Sequence, residues 1–140
     1  MTRAQVRAGA QAGNALIEFA GALILLTIMF AGIFEIGYSF YTYATLVTGV
    51  RAGARYAALQ LPGPATTKAV RNLVVYGDPA PPDRATAVVP GLSIDDVELI
   101  SSPEASTVSV RGFEIDAVFM KMKLDGRPTV TFPAIVRGAR

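Results

Sequence analysis

The chain of 140 residues contains no histidine and no cysteine. These absences exclude a Ser-His-Asp triad, a Cys-His pair, a Cys/His zinc site and a disulfide framework, because each needs at least one of the two residue types. The sequence also has no phosphate-binding motif of the Walker or G-x-G-x-x-G kind. We therefore expect a protein that is not an enzyme and that binds no cofactor and no metal.

Charge is also scarce and unpatterned. The formal net charge is +2, and the basic residues are scattered rather than striped, so nucleic acid is not an expected partner. Acids do occur in pairs, Asp96 with Glu98 and Glu114 with Asp116, but both pairs alternate with apolar residues. That alternation predicts the solvated face of a sheet rather than a hydrolytic or Ca²⁺ site.

One long hydrophobic run dominates the N-terminal half. Residues 19–34 carry no charge, and the run approaches the ~20 residues that a helix needs to cross a bilayer. The preceding residues hold Arg3 and Arg7 and no acid, which is typical of a flank kept in the cytoplasm. We therefore expect a single-pass membrane protein with its N-terminus in the cytoplasm and its C-terminal domain outside. Tyrosines that follow the run fit the membrane interface.

The sequence offers one site for leader removal. No Ala-x-Ala follows the apolar run, whereas Gly13 precedes it and has no Cβ to obstruct a peptidase. Cleavage before Asn14 would place Glu18 at the fifth position, inside the apolar helix. A carboxylate there either pairs with an amino group of a neighbouring subunit or lies solvated at the headgroups, and the residues leave both interpretations open.

Four stretches of this region carry a family resemblance. GNALIEF at residues 13–19 resembles the type IV prepilin cleavage and assembly signature. GIFEIG at residues 32–37, FY at residues 40–41 and RAGARYA at residues 51–57 narrow the likeness. Together they resemble the TadE-like pseudopilins of the tight-adherence (Flp) pilus systems, and the chain is far longer than a major pilin of that class.

The resemblance implies roles for particular residues. Gly13 would precede the bond cut by a prepilin peptidase, peptidase and assembly would require Glu18, and Phe19 would be the adjoining aromatic residue. Major pilins have tyrosine after the glutamate, so Phe19 indicates a minor member or an unprocessed relative.

The resemblance also implies a function. It is that of a minor pilin, a structural component of a type IV pilus used in adhesion or secretion. Its partners would be the prepilin peptidase, other pilins, the inner-membrane assembly platform and membrane lipid. The alternative function is an uncleaved, single-pass anchor that displays an adhesion or scaffold module.

Other helix residues suggest packing contacts. Gly49, Gly53 and Ala57 form a stripe of small residues that could receive a partner helix or the chain's own C-terminal sheet. Arg51 and Arg55, one turn apart, could contact a partner or form a solvated face. Glu35 could make a polar contact with a partner helix, with Arg51 or Arg55 of a staggered neighbour as the group it meets, although a solvated interfacial acid is the favoured interpretation.

The whole pattern predicts a pilin-like α+β fold. We expect a basic leader over residues 1–13, and a long helix over 14–61 that spans the membrane to about residue 37. Residues 62–91 should form a short helix, capped by Thr66 or Thr67, and a proline-rich loop. Residues 92–140 should form three or four antiparallel strands packed on the extramembrane half of the helix.

The expected details of these elements are more specific. Gly112 should mark a bulge, and the strand after it should continue to Phe119. The last strand should cover residues 129–136. The short helix should turn one face to the core, and that face is formed by Ala69, Leu73 and Tyr76, with Val70 and Val74 alongside.

Overall fold

The N-terminal sequence forms one long helix because no proline occurs before Pro62 and helix-favouring Ala and Leu are frequent. In the computed structural model, which describes residues 3–117 and 119–135 and side chains from Gly13 onward, this helix, α1, runs Arg3–Leu59. It ends two residues before the expected limit, where the Gln60 N–H bonds to the Ala57 carbonyl. The side chains of the leader's Arg3 and Arg7 lie outside the described part.

The chain divides into two compact units, Met1–Gly37 and Tyr38–Arg140. In the first unit, the described side chains are almost all exposed, and the exposed ones include large apolar residues such as Ile24, Met29 and Phe30. One described helix segment, within Gly13–Leu59, is long and apolar enough to cross a membrane, and its most apolar window has no buried residue. The predicted candidate for a membrane helix is therefore present.

The second unit begins with the outer part of α1 and continues into helix α2, Pro64–Tyr76. Proline is favoured at a first helical position because its missing N–H would have no helical partner there. The predicted threonine cap is wrong: the cap is Gly63, and the Thr67 hydroxyl donates to the Gly63 carbonyl at 3.1 Å. Gly77 ends α2 with φ of 75°, a left-handed conformation that glycine adopts without steric cost.

Within the described residues, five strands follow a loop and a short 3₁₀ helix, Ile94–Asp96. Strands β1 (Val97–Ser101), β2 (Ala105–Val110) and β5 (Thr129–Pro133) form an antiparallel sheet in the order β1-β2-β5. Strands β3 (Phe113–Asp116) and β4 (Lys121–Leu124) form a separate antiparallel pair. The α+β class with a small antiparallel sheet is confirmed, although the strands form two sheets rather than one.

Three details of the predicted strands are wrong. Gly112, with φ of 72°, lies in the connection between two sheets and not in a bulge. The strand after it ends at Asp116, and Phe119 is exposed. The last strand ends at Pro133, and Val136, its predicted end, lies outside the described residues.

A single core holds the second unit together. It combines one face of α1, one face of α2 and residues from both sheets. The face of α2 that enters it carries Val70, Val74 and Val75, whereas the predicted Ala69 and Leu73 are only half-buried. Four residues of α1 belong to this core, which are Leu46, Val50, Ala54 and Ala57.

Candidate functional site

The predicted processing site lies on an open part of α1. Gly13 and Asn14 are exposed, and a Cβ added at Gly13 would meet no atom within 4 Å. Phe19 is exposed as well. Within the described part of the chain nothing covers the bond between Gly13 and Asn14, so a peptidase can approach it. The roles of these three residues in processing stay predictions.

Glu18 and Glu35 bound the apolar part of α1. Residues 19–34 between them span about 24 Å at ~1.5 Å per helical residue, slightly less than the ~30 Å of bilayer hydrocarbon. A helix that crosses a membrane here therefore holds each carboxylate close to one face of the hydrocarbon layer. The Thr27 hydroxyl between them donates to the Leu23 carbonyl at 2.8 Å, so this polar group is satisfied within the helix.

The two acids differ in their surroundings. Glu18 is exposed, and none of the described residues forms an ion pair with it. Glu35 is only 5% exposed. The interpretation of Glu35 as a solvated acid is therefore wrong, since a buried carboxylate is stable only with polar contacts. No pattern in the sequence indicated this burial, since the acid lies between two apolar residues, Phe34 and Ile36, whose own side chains are exposed.

The small-residue stripe of α1 receives α2 of the same chain. A Cβ added at Gly49 would lie 3.0 Å from the backbone oxygen of Val74. A Cβ added at Gly53 would lie 2.7 Å from Val74 Cγ2 and 3.4 Å from Val70 Cγ1. The two helices approach closely because glycine leaves room for valine. The predicted intramolecular contact therefore exists, but its partner at both glycines is a helix rather than the sheet.

The valines that occupy this stripe were not predicted to do so. Val70 and Val74 are four residues apart, as are Gly49 and Gly53, so a row on α2 matches a row on α1. Matching rows of glycine and β-branched residues are the signal that could have identified this contact.

The family comparison bears on the same helix. The family model described as TadE-like protein matches residues 13–55. This helix is TadE-like. The match confirms the resemblance found in the sequence, and it covers both acids, both glycines of the stripe and both arginines. No curated protein and no solved structure shows significant similarity to the chain.

The arginines of the TadE-like helix point away from the core. Arg51 and Arg55 are exposed, and within the described part of the chain neither forms an ion pair. They are therefore not used in domain packing, whereas Ala57 is buried in the core. Contact of the arginines with a partner subunit stays a prediction.

The acids of the first pair, Asp96 and Glu98, make local contacts. Asp96 accepts from the Ser93 N–H at 2.8 Å, which caps the 3₁₀ helix. Glu98 Oε2 lies 2.7 Å from Arg111 Nε on the sheet surface. Among the described residues, no group of three acidic residues is placed to hold a metal ion.

Proposed function

We propose that this TadE-like chain is a minor pilin that is anchored in the inner membrane and then incorporated into, or used to assemble, a tight-adherence pilus. It would be a structural subunit and not an enzyme. The observation that carries the proposal is the family match over a helix whose apolar part, residues 19–34, is exposed almost throughout. A helix with that surface needs either lipid or other apolar helices around it.

The orientation follows from charge. Arg3 and Arg7 are the only charged residues before Glu18, and an excess of basic residues marks the cytoplasmic side. The unit that begins at Tyr38 would then lie outside the cytoplasm. Phe40 and Tyr41 are both exposed just beyond the apolar part, and aromatic side chains favour the outer interface.

Packing against other pilins would use the same helix. A Cβ added at Gly21 or Gly32 would meet no described atom within 4 Å, so a neighbouring helix can approach the backbone at these two residues. Glu18 would pair with the amino group of a processed subunit, because mutual neutralisation lowers the cost of holding both charges in an apolar assembly. Other pilins, the prepilin peptidase and the assembly platform are the partners of this proposal.

Processing is the property that tests the proposal. The full chain is co-expressed with a prepilin peptidase, purified from membranes and measured by intact mass, alongside Gly13→Ala and Gly21→Ala variants. The last is a matched control, because it makes the same change in the same helix at a residue that is equally open. We expect a chain that begins at Asn14 in the wild type and in Gly21→Ala, and an uncut chain in Gly13→Ala.

An uncut wild-type chain, with a known prepilin cut in the same cells, would contradict the proposal. It would favour a permanent single-pass anchor that displays an adhesion or scaffold module. Cutting of all three chains at one position would show that the peptidase does not use Gly13 as predicted.

A further inference from the structure

Strand β1 lies at an edge of its sheet, because among the described strands the order β1-β2-β5 gives it a neighbour on one side only. In an antiparallel ladder, successive residues direct their backbone N–H and C=O groups to opposite sides of the strand. The Ser102 N–H donates to the Ala105 carbonyl and the Arg111 N–H donates to the Asp96 carbonyl, both at 2.8 Å, which fixes the alternation at the two ends of the β1–β2 ladder. The even-numbered residues of β1 therefore bond to β2, and the odd-numbered ones direct their groups away from the sheet.

The outer side of β1 leaves backbone groups unpaired. The Val97 N–H donates to the Ile94 carbonyl. Leu99 and Ser101 each present an N–H and a C=O on this side, and no described residue bonds to any of them. Ile100 between them is 52% exposed on the face of the sheet that points away from the core. A row of unpaired donors and acceptors of this kind pairs readily with another strand.

Two other edge strands carry residues that discourage such pairing. Strand β4 contains Lys121 and Lys123, and β5 ends at Pro133, which has no N–H. Charged residues, lysine above all, and proline are the usual means by which an edge strand avoids a further strand. Strand β1 contains neither lysine nor proline, and its one charged residue, Glu98, already pairs with Arg111. The edge at β1 is therefore the open one of the three.

The outer side of β1 is complementary to itself. When two copies of β1 run antiparallel with Ile100 opposite Ile100, Leu99 of each copy lies opposite Ser101 of the other. Each of these two pairs exchanges both of its N–H···O bonds, so the groups that are free in one copy bond to those that are free in the other. The two isoleucines form the closer, non-hydrogen-bonded pair and cover each other's exposed side chains. Glu98 then lies opposite Ser102, so like charges do not meet.

We infer that two copies of the chain associate through β1, antiparallel and in the register that places Ile100 opposite Ile100 of the second copy. The two three-stranded sheets then become one sheet in the order β5-β2-β1-β1-β2-β5. A symmetric contact of this kind uses the same patch on both subunits and closes at two copies. A strand of another protein would have to supply the same short pattern, whereas a second copy always carries it. The inference concerns the unit Tyr38–Arg140 alone and does not depend on the proposed function.

The chain contains no cysteine, so a single introduced thiol reports on its own position. In the inferred register, the Cα atoms of the two residues 100 are ~4.5 Å apart, which is within the ~4.4–6.8 Å that a disulfide spans. Ile100→Cys is compared with Thr131→Cys in the full-length chain, in detergent and under mild oxidation. Thr131 is the matched control, because it is exposed on β5 and lies opposite Thr107, which in turn lies opposite Ile100.

We expect a disulfide-linked dimer of Ile100→Cys and monomers of Thr131→Cys. In the inferred dimer the two residues 131 are five strand spacings, or about 24 Å, apart. Equal cross-linking at the two positions would indicate association elsewhere in the chain and would overturn the inference. The absence of cross-linking at residue 100 would overturn it as well.

Proline separates strand pairing from mere proximity. Ser101→Pro removes an N–H that faces away from β2, so it takes no hydrogen bond from its own sheet but one from each of the two pairs between copies. Thr131→Pro makes the same change on the outer side of β5. With Ile100→Cys in both chains, we expect cross-linking to fall about tenfold or more with Ser101→Pro and to stay unchanged with Thr131→Pro. An equal effect of the two prolines would contradict pairing through β1.

A distance measurement leaves β1 unchanged. Nitroxide labels on Thr131→Cys should give, by double electron–electron resonance, a distribution near the ~24 Å expected from the strand spacing. A separation of only one or two strand spacings would indicate pairing through β5 instead. Either that result or the absence of dipolar coupling would overturn the inference.

Discussion

The close contact between α1 and α2 predicts that Gly53→Ala destabilises the domain. An added Cβ would lie 2.7 Å from Val74 Cγ2, which is too close for any pair of carbon atoms, and valine in a helix has one strongly preferred rotamer. Overpacking of this kind costs ~1–3 kcal/mol. Alanine in place of a helical glycine returns up to ~1 kcal/mol, so the net loss is about 1 kcal/mol.

The assay is thermal unfolding of the full chain in detergent, followed by near-ultraviolet circular dichroism. Tyr56 and Tyr76 supply the signal, because both pack against the core. A loss of about 1 kcal/mol in a domain of this size lowers the Tm by roughly 4–8 °C. Ala52→Gly serves as the control, since at this exposed neighbouring residue the change in stability reflects helix propensity alone.

A double variant separates crowding from any other defect. Val74→Ala alone should cost about 2 kcal/mol through lost burial of two methyl groups and the space they leave. In Gly53→Ala with Val74→Ala, the new methyl group enters that space, so the double variant should be more stable than the sum of the two losses by about 1–2 kcal/mol. The reasoning would be refuted if the losses of the two single variants added up strictly in the double variant. It would also be refuted if Gly53→Ala raised the Tm by as much as Ala52→Gly lowers it, since helix propensity alone would then explain both changes.

Three further substitutions test other parts of the chain. The Ser106 hydroxyl is fully buried and has no hydrogen-bond partner among the described residues, so Ser106→Ala should raise the unfolding free energy by about 1 kcal/mol. A lower Tm of this variant would contradict the prediction. The control is Ser109→Ala, which removes a hydroxyl that donates to Glu98 and should therefore give no gain in stability. Glu98→Gln breaks an exposed ion pair with Arg111 and should change the unfolding free energy by less than ~1 kcal/mol in denaturant titration. Glu18→Gln should leave the chain in the membrane fraction but reduce its co-purification with pilin subunits, and undiminished recovery would count against pairing with an amine.

The helical part of the fold followed well from the sequence because its signals are strong. An uncharged run, the absence of proline and the interruption at residues 61–64 define α1 with little ambiguity. The start of α2 was harder, because Pro64 both ends one helix and opens the next, and threonine is a common cap. The predicted buried face of α2, centred on Ala69 and Leu73, lies one residue away from the observed one at Val70 and Val74, because apolar residues occur on both faces of this helix.

Strand β4 was missed for a different physical reason. Alternation of apolar residues continues from Phe113 through the turn to Phe119, and residues 117–120 contain no Gly, Pro, Asn or Asp. The periodicity therefore predicts one continuous strand, whereas the chain reverses direction after Asp116 and returns as β4 from Lys121. In the site, Gly13 and Glu18 are exposed, as their predicted roles require. The contact of Gly49 with α2 becomes visible only when the residue rows of both helices are compared, and no residue pattern indicated the burial of Glu35.

The occupation of Gly49 and Gly53 by α2 has a consequence for newly made chains. A glycine-lined helix face lets another helix approach closely, and a second copy of the chain carries the same face. Here α2 is joined to α1 by the four residues between Leu59 and Pro64, which gives it an effective concentration of the order of millimolar. Because α2 covers both glycines, this face is closed to a second copy once the unit has folded, and the exposed apolar part, residues 19–34, is left for contacts between helices.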